Sequence, residues 1–97
     1  MKVDFTKTFT YPVAVEREDK IADVLAIRTF QGEGVPQEND PDKRAKRSLE
    51  MYRLYQKLAS ATPDTDWTPE ELVLIKQVAG VLLPGLYGQV IDLIAQA

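Results

Sequence analysis

The sequence predicts a mainly α fold: about four helices in a small bundle, with a short N-terminal β-strand or hairpin, in one domain of residues 1–97. Three observations carry that prediction. Residues 3–15 alternate apolar and polar types, and residues 17–60 hold two stretches with apolar residues at helical spacing. The last third opens on a tightly specified helix start, Trp67-Thr68-Pro69-Glu70-Glu71, and 16 of the 24 residues from Leu72 to Ala95 are apolar. Residues 1–16 accordingly read as a β arm and residues 17–97 as a helical body.

In the arm, Val3, Phe5, Phe9, Tyr11, Val13 and Val15 take odd positions, broken only by Lys7, while Asp4, Thr6, Thr8 and Thr10 take even ones. Alternation of β-branched and aromatic residues is the pattern of a half-buried strand. Pro12 confines its part to an edge or a bend. A strand needs a partner for its N–H and C=O groups. It could fold back as an irregular hairpin near Thr6–Thr10 or pair with a strand from another molecule. No Asn-Gly or Asp-Gly turn marks the hairpin.

The first helix is predicted from about Arg17 to Phe30. Ile21, Val24, Leu25, Ala26, Ile27 and Phe30 form its apolar face, and Glu16 and Glu18 suit its positive N-terminal end. Gln31 to Asp40 is a loop by composition. Its Gly32-x-Gly34 lacks the preceding strand and following helix that a phosphate-cradling loop requires, so it reads as a flexible loop.

Asp40 and Pro41 form an N-cap and first helical residue for a second helix spanning roughly Pro41 to Ser60. Ala45, Leu49, Met51, Tyr52, Leu54, Tyr55, Leu58 and Ala59 give it a wide inward face. Residues 61–66 connect it to the third helix. There Thr68 can cap, Pro69 sits where a missing N–H costs nothing, and Glu71 can bond back to the cap. Trp67 and Leu72 can close a hydrophobic staple around that start. Pro84-Gly85 should divide the remainder into helices of about 69–82 and 86–96.

Composition narrows the function. The chain has no Cys and no His. It therefore lacks disulfides, thiolate metal sites, the commonest general base and the commonest zinc ligand. No enzymatic activity and no cofactor are expected. Glu38, Asp40 and Asp42, and the pair Asp64 and Asp66, match no calcium-loop register. Paired carboxylates for glycoside chemistry would need a cleft that nothing in the sequence indicates. Met1-Lys2-Val3-Asp4-Phe5 has no apolar h-region, so no secretory signal is expected there. The uncharged stretch from Gln77 to Ile91 is shorter than the roughly 20 residues of a spanning helix, and the cytoplasm is the expected location.

Two surfaces stand out. Lys43, Arg44, Lys46, Arg47, Arg53 and Lys57 are six of the chain's 12 basic residues, and Glu50 is the only acid among them, within a net charge of −3. Such a helix can be a solvated face, meet an acidic protein patch, or contact nucleic acid through Lys43, Arg44, Lys46, Arg47 and Arg53, with Tyr52 and Tyr55 stacking on bases. Core packing is the expected role of the two tyrosines, which share helical spacing with Leu49 and Leu58. The second surface is the apolar C-terminal segment. Val73, Leu74 and Val81 cannot all face the core that Leu72, Ile75, Ala79 and Leu82 face, so a partner interface is expected at Val73, Leu74, Val81, Leu86, Tyr87, Val90 and Ile94.

Several features together resemble a group of short hypothetical proteins encoded by tailed bacteriophages and prophages. They are Asp4-Phe5-Thr6-Lys7, the basic helix ending near Tyr55-Gln56-Lys57-Leu58, and Thr68-x-Glu70-Glu71-Leu72-x-Leu74-Ile75-Lys76-x-x-x-Gly80 followed by Pro84 and Gly88-Gln89. The resemblance spans nearly the whole chain, with the 68–89 motif its specific part. This chain departs from that layout in lacking a turn-rich insert after Thr10 and in having one residue fewer between Gly80 and Gln89. The resemblance carries no established activity and transfers no site. It implies a phage-encoded product acting in the bacterial host cytoplasm, with the virion as an alternative destination.

The expected function is thus a non-catalytic interaction protein, an assembly or host-modulating factor that binds itself or a phage or host protein. The alternatives are a nucleic-acid-binding regulator using the basic helix and a small membrane-active protein using residues 72–95.

Overall fold

Proline sets the start of three of the four helices. The computed structural model describes residues 1–97 and contains α1 (Ile21–Phe30), α2 (Pro41–Ala59), α3 (Pro69–Ala79) and α4 (Pro84–Ala95). Pro41, Pro69 and Pro84 each sit in the first turn of their helix, where an absent N–H leaves nothing unpaired. Asp40 caps α2 by accepting from the Asp42 N–H at 3.0 Å. Thr68 and Glu71 form the complete capping box of α3, Glu71 N–H to Thr68 Oγ1 at 3.1 Å and Thr68 N–H to Glu71 Oε1 at 2.8 Å. α1 packs along α2 and touches α3, which packs on α4. A single core cluster draws side chains from all four helices, from Trp67 and from the N-terminal arm.

The arm is not a strand or hairpin. Its only β features are two isolated antiparallel bridges, Lys2 with Asp66 and Thr8 with Lys20. Asp4 explains the interruption: its Oδ1 accepts from the Thr6 N–H at 3.0 Å and from the Thr6 hydroxyl, turning the chain at Phe5-Thr6. Burial follows the odd positions only as far as Tyr11, with Val3, Phe5 and Phe9 enclosed and Tyr11 packed against the core, while Val13 and Val15, beyond Pro12, are exposed. Up to Tyr11 the alternation therefore records which side chains point inward, not a hydrogen-bonded ladder.

Partners for the arm's backbone come from its own chain. Ile21 N–H donates to the Lys7 carbonyl at 2.9 Å and Ala22 N–H to the Phe5 carbonyl at 2.7 Å. These are two of the orphan donors at the start of α1, a helix with no side-chain cap. Phe9 N–H donates to the Asp19 carbonyl at 2.9 Å. Docking of residues 19–22 onto the arm holds Lys20 extended (ψ 136°), so α1 begins at Ile21, not Arg17. At the other side, the Gln89 side-chain amide of α4 both accepts from the Thr10 N–H and donates to the Thr10 carbonyl, each at 2.8 Å. One glutamine thus supplies the pair of bonds that a neighbouring strand would give.

The C-terminal segment divides where proline predicts, with shifted ends. α3 stops at Ala79, and the N–H groups of Val81 and Leu82 turn back to the carbonyls of Val78 and Ala79. Leu83 is extended (φ −58°, ψ 149°), as a residue before proline tends to be, and Pro84 then starts α4 two residues earlier than predicted. Most of the apolar surplus is used internally. Leu72, Ile75, Val78, Ala79, Val90 and Ile94 are buried. Val90 and Ile94 therefore belong to the core and not to an interface, because α4 packs on α3 and is tied to the arm through Gln89. Leu74 and Leu86 are half-buried against the same core, while Val73, Val81 and Tyr87 remain exposed. No helix is long and apolar enough to cross a membrane.

Candidate functional site

The inward stripe of α2 changes chemistry along its length. Leu58, Leu54 and Met51 recur at spacings of three and four and are buried. Continuing the same spacing towards the N-terminus reaches Arg47 and Arg44. Every residue from Pro41 to Glu50 is exposed, so this half of the helix projects beyond the core. Leucines facing the core thus give way to arginines facing a groove.

The opposite wall of the groove is the end of α1 and the loop that follows. The groove has a volume of about 420 Å³ and is lined by Phe30, Val35, Glu38, Arg44, Arg47, Met51, Tyr52 and Tyr55 among others. Phe30 is 69% exposed, and its ring meets that of Tyr55 edge-on at 5.2 Å between centroids. Tyr52 is exposed and its hydroxyl accepts from Gln56 Nε2 at 2.9 Å. Ile27 and Leu49 are exposed as well, although both were expected to face inward.

The loop wall is held from behind. Arg28 Nη1 reaches Glu33 Oε2 at 3.0 Å. Gly32 and Gly34 both have positive φ, +70° and +82°. At Gly34 a Cβ would lie 2.2 Å from the Gln77 carbonyl oxygen, so the backbone of the loop rests directly on the C-terminal turn of α3. Gly34 is therefore packed on α3, while Gly32 faces open space.

Of the basic residues singled out from sequence, the fold brings Arg44 and Arg47 to the groove, while Lys43, Lys46 and Arg53 do not line it. At about 100° per residue, Lys46 and Arg53 fall well away from the stripe that carries Arg44 and Arg47. Arg44 has no ion-pair partner, and Arg47 has only a long one, Nε to Glu50 Oε2 at 3.8 Å. Tyr55 packs against the core, as the spacing predicts, and also lines the groove, whereas Tyr52 lines the groove and is exposed instead of packing in the core. Phe30, Val35 and Met51 are residues of the groove that sequence reasoning missed; only the unbalanced Arg44/Arg47 continuation of a leucine stripe could have signalled it.

Chemically, two guanidinium groups lining a groove together with aromatic and aliphatic side chains suit an anionic group carried beside an apolar one. Glu38 on the opposite lip disfavours long runs of negative charge. No three acidic side chains converge to hold a metal ion. Comparison with protein-family models, curated proteins and solved structures finds no match to this chain.

Proposed function

We propose that this chain is a non-catalytic protein–protein interaction protein that binds copies of itself, or a phage or host protein, through the groove between α2 and the 29–39 segment. The observation that carries this reading is that exposed Phe30 and Tyr52 line the same groove as Arg44 and Arg47. Exposed aromatic and arginine side chains are the residue types that dominate protein contacts. Assignment to a phage or prophage, and to the host cytoplasm, rests on the resemblance of the 68–89 motif. The exposed Val73, Val81 and Tyr87 of the α3–α4 side offer a second, smaller contact.

A nucleic-acid-binding role is the competing reading, favoured by the meeting of Arg44, Arg47, Tyr52 and Tyr55. The absence of Lys43, Lys46 and Arg53 from the groove lining weighs against it, since a backbone-tracking groove needs a continuous row of cations.

Photo-crosslinking tests the proposal. A benzoylphenylalanine replacing Tyr52 should yield defined protein adducts in bacterial cells, and Arg44→Ser with Arg47→Ser should abolish them. Adducts unaffected by those substitutions would contradict it.

A further inference from the structure

One segment of this chain has the chemistry the groove asks for. Residues 12–18, Pro12-Val13-Ala14-Val15-Glu16-Arg17-Glu18, are all exposed. Val15 N–H donates to the Pro12 carbonyl at 2.8 Å, closing a turn with Val13 and Ala14 at its corner. Valine is not a turn-forming residue, and Val13 touches solvent over its whole side chain. Neither Val13 nor Val15 belongs to the core or packs against it. Glu16 and Glu18 take part in none of the chain's five ion pairs. Arg17, the one cation in the segment, is drawn aside: its Nη2 meets Asp19 Oδ2 at 3.1 Å and its guanidinium lies 5.6 Å from the Tyr11 ring centroid. What remains is two unpacked valines followed by two unpaired carboxylates.

The lining of the groove includes the complement, apolar Phe30, Val35, Met51 and Tyr55 together with Arg44 and Arg47, with Glu38 its one acidic residue. Topology keeps the two apart within one molecule. The 12–18 turn leads into the N-terminus of α1, anchored by Tyr11 Oη to Asp19 Oδ2 at 2.7 Å, whereas Phe30 and the groove lie at the C-terminus of α1. A ten-residue helix separates them by about 15 Å. Contact between them is therefore between copies.

We propose that the 12–18 turn of one copy docks in the Arg44/Arg47 groove of the next, with Val13 and Val15 against its apolar side chains and Glu16 and Glu18 against the two arginines. This rests on reading the groove as the chain's contact surface. Donor and acceptor surfaces differ, so the contact is heterologous and propagates head to tail unless it closes into a ring. A contact this small implies a weak, transient association.

Sedimentation of wild-type protein from about 10 µM to about 1 mM, a range that spans weak association, should show a mass rising above one chain and falling back with added salt. The groove variant Arg44→Ser/Arg47→Ser and the turn variant Glu16→Gln/Glu18→Gln, all at exposed positions, should each stay at one chain. Mixed together they should form a two-chain species and nothing larger, because the mixture holds one working groove and one working turn per pair. A wild-type mass of one chain throughout, association that survives either variant, or a mixture that stays as single chains would overturn self-docking. So would binding of a twelve-nucleotide thymidine oligomer that the groove variant abolishes while the wild type remains single. If Tyr52-position adducts formed with another protein while the wild type sedimented as one chain, self-docking would fail and the interaction role would stand.

Discussion

The indole N–H of Trp67 donates to the carbonyl oxygen of Val3, 3.1 Å away, and so joins residues 64 positions apart inside the core. Trp67 is fully enclosed, meets Phe5 edge-on at 5.2 Å, and carries the Lys57 ammonium 4.8 Å above its ring. The residue just before the α3 cap thus also fastens the arm to the bundle.

Trp67→Ala should destabilise by about 3–5 kcal/mol through the cavity it leaves. Trp67→Phe keeps the ring contact but strips the Val3 carbonyl of its donor, at a cost of about 1–3 kcal/mol. Urea unfolding checks both, as a lower midpoint with an unchanged slope.

Glu71 links α3 to α2, its Oε1 lying 2.8 Å from Lys57 Nζ. Burial pushes its carboxyl up, but the hydrogen bonds from Lys57 and the Thr68 N–H outweigh burial and hold it below its ordinary value of 4.5. A carboxyl depressed by folding contributes stability that is full above the unfolded value and is lost as pH falls through the folded one. Stability should therefore decline as pH drops below about 4.5, and Glu71→Gln should make that decline shallower. Denaturant midpoints measured between about pH 6 and pH 3 test this.

The loop wall of the groove depends on one close approach. Gly32→Ala meets open space and should cost about 1 kcal/mol, the price of its positive φ alone. Gly34→Ala adds a collision with the Gln77 carbonyl and should cost about 2–4 kcal/mol. Equal effects in chemical denaturation would mean that the loop does not rest on α3.

Ile94→Ala should cost about 2–4 kcal/mol because its side chain is buried. Val73→Ala, on the exposed side of α3, should change stability by less than about 0.5 kcal/mol. Thermal unfolding of the two variants side by side gives the comparison.

What was legible in the sequence follows how local the governing interaction is. The caps Asp40 and Thr68 act within three residues, and both helix starts were readable. The start of α1 was not, because its first donors are met by the carbonyls of Phe5 and Lys7, a long-range arrangement with no local signature. The arm's alternation correctly marked Val3, Phe5 and Phe9 as inward, wrongly extended that face to the exposed Val13 and Val15, and could not reveal that Asp4 turns the chain or that Gln89 supplies the strand-like bonds. In the last third, apolar content alone could not separate Val90 and Ile94, which the arm and bundle enclose, from Val73 and Val81, which they leave open. The groove was half visible: its arginines stood out, but their convergence with Phe30 required the path of the 31–39 loop and the packing of Gly34 on α3.

Amide hydrogen exchange at low and high protein concentration addresses the groove most directly. If copies dock there, protection should rise with concentration in residues 12–18, 29–39 and 41–52, and stay constant across α3 and α4. Protection that rose instead around Val73, Val81 and Tyr87, with 29–52 unchanged, would contradict the groove as the contact surface.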